Sequence, residues 1–250
     1  MQAALRGGFF SPAAFMRDTM LRHGPAWAVL LGLVACTTLP PVPPVADGWH
    51  AVPLPGKRAT HYRQVLKAGR PALLAEADRS ASLMRRHWPL AADQLGEVRF
   101  SWWVDAPLPG ADLAAAGRGD SPARILFAFD GDHARLSARN RLMFDLAESI
   151  SGERPPYATL MYVFGNRPEH LGRTIVHTRT DRIRKIVLDA GPAHARQWRD
   201  HRRNLAEDFR QAFGEAPGRL LSVAVLTDAD NTQQRAQAWY GPVEIGARPD

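Results

Sequence analysis

Four stretches of the chain have the residue pattern of β strands, and they limit the chain to folds dominated by sheets. Residues 98–104 alternate between apolar and polar side chains, which is typical of a strand with one buried face. The other three stretches are apolar on both faces, as expected of central strands that are covered on both sides, and are residues 125–129, 159–164 and 220–226. Weaker strand patterns occur at residues 49–54, 59–66, 71–77, 173–178, 183–188 and 239–245.

Two other segments have helical patterns. Ser137 is expected to cap a helix that ends at Ile150. The apolar stripe predicted for this helix consists of Met143, Leu146, Ala147 and Ile150. Asn204 and Glu207 form a capping pair for a second helix, which buries Leu205 and Phe209 and ends at Gly214.

This mixture predicts a mostly β fold: a β-sandwich of the jelly-roll, galactose-binding-like type with two short helices. A mixed α+β fold is the alternative. Since we find neither an internal repeat nor a second linker, residues 48–250 are interpreted as a single globular domain.

A short apolar stretch near the start of the chain has the features of a secretory leader. Residues 26–35 are apolar and follow Arg17 and Arg22. A stable membrane-crossing helix needs about 20 apolar residues, so this stretch fits the apolar region of a signal peptide. It ends at the tetrad Leu33-Val-Ala-Cys36, which resembles the bacterial lipobox, in which the cysteine is acylated.

Cys36 is the only cysteine of the chain, so no disulfide can form within it, and we expect Cys36 to hold the protein on a membrane through lipid. The predicted organisation is a signal peptide at 1–35, with a surplus extension at 1–15, a lipidated proline-rich tether at 36–47, and the domain. Thr37 rather than Asp follows Cys36, which favours the outer membrane, facing the periplasm.

A set of short motifs extends through the predicted domain. The motifs are Trp49, Leu54-Pro-Gly-Lys57, Thr60-x-Tyr62, Ser80-Ala-Ser82, Trp102-Trp-Val104, Leu160-x-Tyr162, Trp198, Asp208-Phe209, Phe213-Gly214, Thr227-Asp-Ala-Asp-Asn-Thr232 and Ala238-Trp-Tyr-Gly-Pro-Val243. Their order resembles an uncharacterised bacterial family catalogued as domain of unknown function 3047, over nearly all of residues 48 to 245. The resemblance implies a secreted or lipid-anchored envelope protein and supplies no activity.

The sequence contains an acidic loop but none of the common catalytic signatures. There is no Gly-x-Ser-x-Gly elbow, no nucleotide-binding glycine loop and no His-Glu-x-x-His pair. Asp228, Asp230, Asn231 and Thr232 directly follow an apolar strand. Oxygen-rich loops of this kind can bind a ligand or Ca²⁺, whereas a capped turn uses the same residue types. We find no other cofactor signal.

Aromatic residues give a second candidate site. Flat aromatic faces pack well against sugar rings, and Trp103 and Tyr240 are the candidates for such a platform. The net charge of +7 comes from scattered basic residues, without the interleaved aromatics typical of nucleic-acid binding, so we expect no nucleic-acid partner.

Three functional classes therefore stay open. The first is a non-catalytic envelope module that binds a glycan, a lipid or an envelope protein. The second is an envelope glycan hydrolase with paired carboxylates such as Asp130 and Asp228, which would have to lie roughly 5 to 10 Å apart. The third is a purely structural lipoprotein.

Overall fold

The computed structural model describes residues 48–246. The predicted leader, Cys36 and the whole predicted tether lie outside the described residues. The strands are β1 (Trp49–Pro53), β2 (His61–Lys67), β3 (Arg70–Asp78), β4 (Ala81–Leu90), β5 (Glu97–Val104), β6 (Ser121–Phe129), β7 (Ala158–Gly165), β8 (Thr174–Val176), β9 (Ile183–Ala190), β10 (Trp198–Asn204), β11 (Leu220–Asp228), β12 (Arg235–Tyr240) and β13 (Glu244–Ile245). The α helices are α1 (Ala138–Ser151) and α2 (Leu205–Phe213).

The strands form two sheets. The seven-stranded sheet has the order β1-β4-β11-β6-β7-β9-β8, and the second sheet has the order β10-β5-β12-β3-β2 with β13 paired to β5. Neighbouring strands are antiparallel except for β7 and β9, which are parallel. The two sheets and two α helices confirm the predicted mostly β, jelly-roll type of β-sandwich.

The core lies between the two sheets and contains the largest buried side chains. Phe127 and Tyr162 belong to the seven-stranded sheet, and Phe100 belongs to the second sheet. The ring centroid of Tyr162 lies 5.5 Å from that of Phe127 and 5.4 Å from that of Phe100. Burying an aromatic side chain of this size contributes roughly 1.5–3 kcal/mol. These contacts explain the alternation of β5, in which Val98, Phe100, Trp102 and Val104 face the core while Trp103 lies on the outer face.

Strand β7 shows why some strands are apolar on both faces. Leu160 and Tyr162 point into the core between the sheets, whereas Met161 and Val163 point outward and pack against Leu113 of the segment between β5 and β6. Both faces are therefore covered, as the sequence pattern predicts.

The sequence patterns miss two long strands, β4 and β10. Strand β10 reads Trp-Arg-Asp-His-Arg-Arg-Asn, which has no apolar alternation. Its inward positions include His201 and Arg203, which donate hydrogen bonds to the buried carboxylates of Asp189 and Asp208. A strand whose inner face pairs with acids on other elements has no local apolar signal.

The caps of both helices are as predicted. The Ser137 side chain accepts a hydrogen bond from the Asn140 amide, and the Asn204 side chain accepts one from the Glu207 amide. Gly214 adopts the left-handed conformation that ends α2. No helix among residues 48–246 combines the length and apolar character needed to cross a membrane.

The stripe predicted for α1 is correct at Met143, which packs against the core, and wrong at Leu146 and Ile150. The helix buries Asn140 and Phe144, while Leu146 and Ile150 are 52% and 62% exposed. Asn140 is buried because its side chain bonds to Asp181 and Thr180 in the segment between β8 and β9. A polar anchor therefore sets the rotation of this helix.

Candidate ligand-binding site

One row of residues crosses the outer face of the seven-stranded sheet, with each residue directly opposite the next on the neighbouring strand. The row consists of His50, Arg85, Ala224, Leu126, Met161, Lys185 and Ile175. The side chains on one face of a sheet are neighbours. The cationic and imidazole groups of this row therefore lie beside its aliphatic side chains. Two depressions lie along the row, with Arg85 in one and Lys185 in the other.

The larger depression, which we call the outer recess, has a volume of about 420 Å³. Its floor consists of strand residues, including Leu83, Leu126, Ala128, Met161 and Ala224. Its rim comes from the segment after α1, where Glu153 accepts a hydrogen bond from Arg85 at 2.6 Å. The recess has the size and mainly apolar lining typical of ligand sites.

The smaller depression, which we call the polar pocket, has a volume of about 180 Å³. It lies at the end of the sheet where β11 ends and β6 begins. Its charged lining consists of the cations Lys57, Arg124, Arg179 and Lys185 and the carboxylates Asp228 and Asp230. The polar pocket thus contains more positive than negative side chains.

Asp228 is the most deeply buried acid of the polar pocket. It accepts hydrogen bonds from the Ser121 amide at 2.9 Å and from Arg124 Nη2 at 3.0 Å. Burial raises the pKa of Asp228 to about 6, although the Arg124 charge acts in the opposite direction. Asp228 therefore titrates in a range where other aspartates are fully ionised.

Lys185 is only 3% exposed. Its Nζ donates to the Leu113 carbonyl at 2.8 Å, and it has no ion pair among residues 48–246. Burial and the nearby charge of Arg124 lower the pKa of Lys185 to about 8. Burial and the charge of Lys185 also lower the pKa of His177 to about 4, so that imidazole is neutral at pH 7.

Asp120, which the sequence patterns do not single out, holds the acidic loop in place. It is fully buried, and its carboxylate accepts hydrogen bonds from Asn231 Nδ2 at 2.7 Å and Thr232 Oγ1 at 2.6 Å, as well as from both backbone amides. The Asn231 and Thr232 side chains therefore act as donors, which is the arrangement of a capped turn.

The acidic loop does not fit the predicted Ca²⁺ site. Oxygens of Asp120, Asp228 and Asp230 lie within 4.8 Å of one another, but Arg124 pairs with Asp228 and Lys57 with Asp230. Ca²⁺ needs six to eight free oxygen ligands, whereas these carboxylates already accept hydrogen bonds from cations and amides. The chemistry of the donor set thus argues against calcium.

The structure places Asp130 and Asp228 far apart, contrary to the hydrolase hypothesis. Asp228 lies opposite Ser121 at the start of β6, while Asp130 follows Phe129 at the end of that strand. Asp130 is nine residue steps from Ser121, which at about 3.3 Å per step separates the two positions by roughly 30 Å. Paired catalysis needs the carboxylates roughly 5 to 10 Å apart, so this pair is wrong.

Trp103 and Tyr240 lie on opposite faces of the second sheet and cannot form one platform. Tyr240 is 1% exposed and its hydroxyl hydrogen-bonds with Thr227 Oγ1 at 2.8 Å, so its prediction as a surface platform is wrong. Trp103 is partly exposed on the outer face, where Lys67 Nζ lies 4.7 Å from its ring centroid and Trp198 packs beside it. That face is away from the outer recess.

Several motif residues meet directly behind Asp228. The Thr60 amide donates to Ser82 Oγ at 2.9 Å, and Thr60 Oγ1 donates to the Thr227 carbonyl at 3.0 Å. Tyr62 completes the network by donating to the Ser82 carbonyl at 2.6 Å. The motifs that are far apart in sequence thus support one buried hydroxyl network under the polar pocket.

Sequence reasoning found Asp228 and Asp230 but missed the cations around them. Arg124 and Lys185 each interrupt an apolar strand. A charged residue within an apolar strand is the signal that could have indicated Arg124 and Lys185. A buried charge is unfavourable without a partner, so its presence in such a strand indicates a nearby partner or a site. The outer recess has no comparable signal in the sequence.

The model of the family described as "Protein of unknown function (DUF3047)" matches residues 47–244. No curated protein is similar enough to this chain to count as a match.

Three solved structures of carbohydrate-degrading enzymes resemble the chain at low identity. The xyloglucanase domain of NopAA from Sinorhizobium fredii, in complex with cellobiose, is 8% identical, with 81% of this chain and 95% of that chain covered and a TM-score of 0.42. A variant of the Cel12A cellulase of Rhodothermus marinus is 13% identical, with 80% and 100% covered and a TM-score of 0.37. The family 11 xylanase from Neocallimastix patriciarum is 9% identical, with 80% and 99% covered and a TM-score of 0.32.

Proposed function

The chain belongs to the DUF3047 family, whose function is unknown, and we propose that this member is a lipid-anchored envelope protein whose domain binds a glycan without cleaving it. The glycan lies in the outer recess. The observation that carries this proposal is the composition of the recess, in which aliphatic and hydrogen-bonding side chains line the same surface.

A sugar ring has both apolar C–H faces and hydroxyl groups, so it binds well where apolar surface and polar groups lie side by side. In the outer recess, Leu126 and Met161 provide apolar surface while Arg85, His87 and Ser222 provide donors and acceptors. An acyl chain in the same place would bury the polar groups of His87 and Ser222 without providing hydrogen-bond partners, which is unfavourable. The lining therefore favours a glycan over a lipid.

The recess also favours binding over hydrolysis. Among the described residues that line it, Glu153 is the only carboxylate, and Glu153 is paired with Arg85. Glycoside hydrolysis ordinarily needs two carboxyl groups on either side of the scissile bond. A recess with one paired carboxylate can hold a glycan but lacks this machinery.

The proposed location depends on the sequence alone. A short apolar leader that ends at the only cysteine, Cys36, supports export and acylation. The proline-rich residues 37–47 would then hold the domain at a short distance from the membrane, since such segments are extended. The proposed location is the outer membrane, with the domain in the periplasm.

A glycan array probed with the full-length protein in detergent micelles tests the function. Ala128→Phe, which places a large side chain on the recess floor, should reduce glycan binding at least tenfold. Leu66→Phe enlarges an exposed side chain on the second sheet and should leave binding unchanged. The proposal would be contradicted if the protein bound lipid vesicles but no glycan, or if the two variants bound glycan equally well.

A further inference from the structure

The polar pocket contains a positive charge that has no counter-ion among residues 48–246. Asp228 and Asp230 pair with Arg124 and Lys57, respectively, which leaves Lys185 and Arg179 as unpaired cations. Arg179 is exposed and therefore hydrated, but Lys185 is 97% buried by the sheet and the segment that covers it, since only 3% of it is exposed. The charges of Asp228 and Asp112 act on Lys185, but neither acid forms an ion pair with it, and its pKa is still lowered. A buried ammonium without a direct ion pair is unfavourable.

Hydrogen bonding around this charge is also incomplete. Lys185 Nζ carries three protons, and one of them is donated, to the Leu113 carbonyl at 2.8 Å. Arg124 is 5% exposed, and its Nε is buried without a hydrogen-bond partner among the described residues. Two cationic side chains that line the same pocket thus have unused hydrogen-bond donors. An oxyanion could accept hydrogen bonds from these donors.

The polar pocket is adjacent to the outer recess. Lys185 lies directly opposite Met161, whose side chain is part of the recess floor. Because both residues belong to the same row across the sheet, a ligand chain in the recess can place one substituent at the pocket. The volume of about 180 Å³ suits a single charged group or one sugar unit.

We propose that the polar pocket binds an oxyanion carried by the glycan, a carboxylate or a phosphate, with Lys185 as its main charge partner and Arg179 at the entrance. This inference rests on the proposed function and makes the ligand an acidic glycan. The anion provides the direct ion-pair partner that the buried ammonium lacks, and charge-assisted hydrogen bonds of this kind are among the stronger ones.

Calorimetry with two matched trisaccharides tests the inference in the full-length protein in detergent. Trigalacturonate carries carboxylates, and its fully methyl-esterified form has the same sugar frame without the charges. The wild-type protein should bind trigalacturonate at least tenfold more tightly. Lys185→Met should weaken the affinity for trigalacturonate by roughly ten- to hundredfold and leave the affinity for the ester unchanged.

Two control variants and one further ligand complete the experiment. Lys67→Met removes a lysine on the second sheet and should have no effect, whereas the surface variant Arg179→Gln should weaken trigalacturonate binding alone. Binding of inorganic phosphate that is lost in Lys185→Met, without binding of trigalacturonate, would assign the oxyanion to a phosphate.

Equal affinity for trigalacturonate and its ester, or an unchanged Lys185→Met variant, would overturn the inference while glycan binding stands. The inference also fails if the wild-type protein binds neither trigalacturonate nor phosphate. If no sugar on the array binds either, the proposed function fails as well.

Discussion

The buried carboxylate of Asp189 on β9 accepts a hydrogen bond at 2.8 Å from the indole Nε1 of Trp102, which lies on the opposite sheet. His201 lies 2.8 Å from the same oxygen, and Arg199 donates to the other at 2.9 Å. Burial alone would raise the pKa of Asp189, but these hydrogen bonds and the Arg199 charge leave it below its usual value. One acid thus connects the two sheets across the core.

Asp189→Asn is expected to destabilise the protein by about 3–5 kcal/mol, because it removes the charge of a fully buried carboxylate that accepts hydrogen bonds from Trp102, His201 and Arg199. Urea denaturation at pH 7 measures the change. Asp200→Asn is the matched control, since Asp200 is an exposed aspartate on β10 that pairs with Arg70, and it should cost at most about 1 kcal/mol. Equal effects of the two variants would contradict this role of Asp189.

The raised pKa of Asp228 predicts a specific pH dependence. The folded protein holds this proton up to about pH 6, whereas the unfolded chain releases it near pH 4. The contribution of Asp228 to the free energy of unfolding should therefore fall by about 3 kcal/mol as the pH rises through this window. Asp228→Asn has no such titration.

The difference in stability between wild-type protein and Asp228→Asn isolates this group, because other titrations are shared. We expect the difference to shift by about 3 kcal/mol, against the wild-type protein, between pH 4 and pH 7. Denaturation curves of both proteins at the two pH values provide the measurement. A difference that does not depend on pH would show that burial leaves the pKa of Asp228 unshifted.

Lys185→Met should make the protein more stable at pH 7, by about 1–3 kcal/mol, because it removes a buried ammonium. The lowered pKa of Lys185 means that the folded protein releases this proton at a lower pH than the unfolded chain does. The stability of the wild-type protein should therefore rise between about pH 8 and pH 10, and the advantage of the variant should shrink there. Thermal melts of the wild-type protein and the variant at pH 7 and at pH 10 measure the difference in stability. A variant that is less stable than the wild-type protein at pH 7 would contradict the prediction.

Calcium should not stabilise the protein. Arg124 and Lys57 already neutralise the acidic loop, and a ligand that does not bind the folded state cannot raise its melting temperature. Melting temperatures in millimolar calcium and in chelator should agree within about 1 °C. A calcium-dependent increase that disappears in Asp230→Ala would show that the loop binds the metal.

Cys36→Ser should release the protein from membranes, because acylation provides the proposed anchor. Fractionation of cells and mass spectrometry of the mature N-terminus measure the outcome, with Thr37→Ser as the matched control. Unchanged membrane association of Cys36→Ser, or an unmodified Cys36 in the wild-type protein, would remove the envelope assignment.

The sequence alone determined the features that depend on neighbouring residues. The period-two alternation of β5, the apolar character of β7 and the caps at Ser137 and Asn204 are local, and the structure confirms each of them. These signals are readable because the alternation of a strand and the capping hydrogen bond at a helix end each involve residues that are only a few positions apart in sequence.

Tertiary structure decided everything that depends on distant partners. Arg124 and Asp228 are separated by 104 positions in the sequence, and Asp120 and Asn231 by 111. Polar strand β10 is a strand because its inner side chains find buried acids on other elements, and Tyr240 is a core residue because its hydroxyl reaches Thr227. A buried polar group is stable only with a partner, and which partner it finds is set by the packing of the sheets.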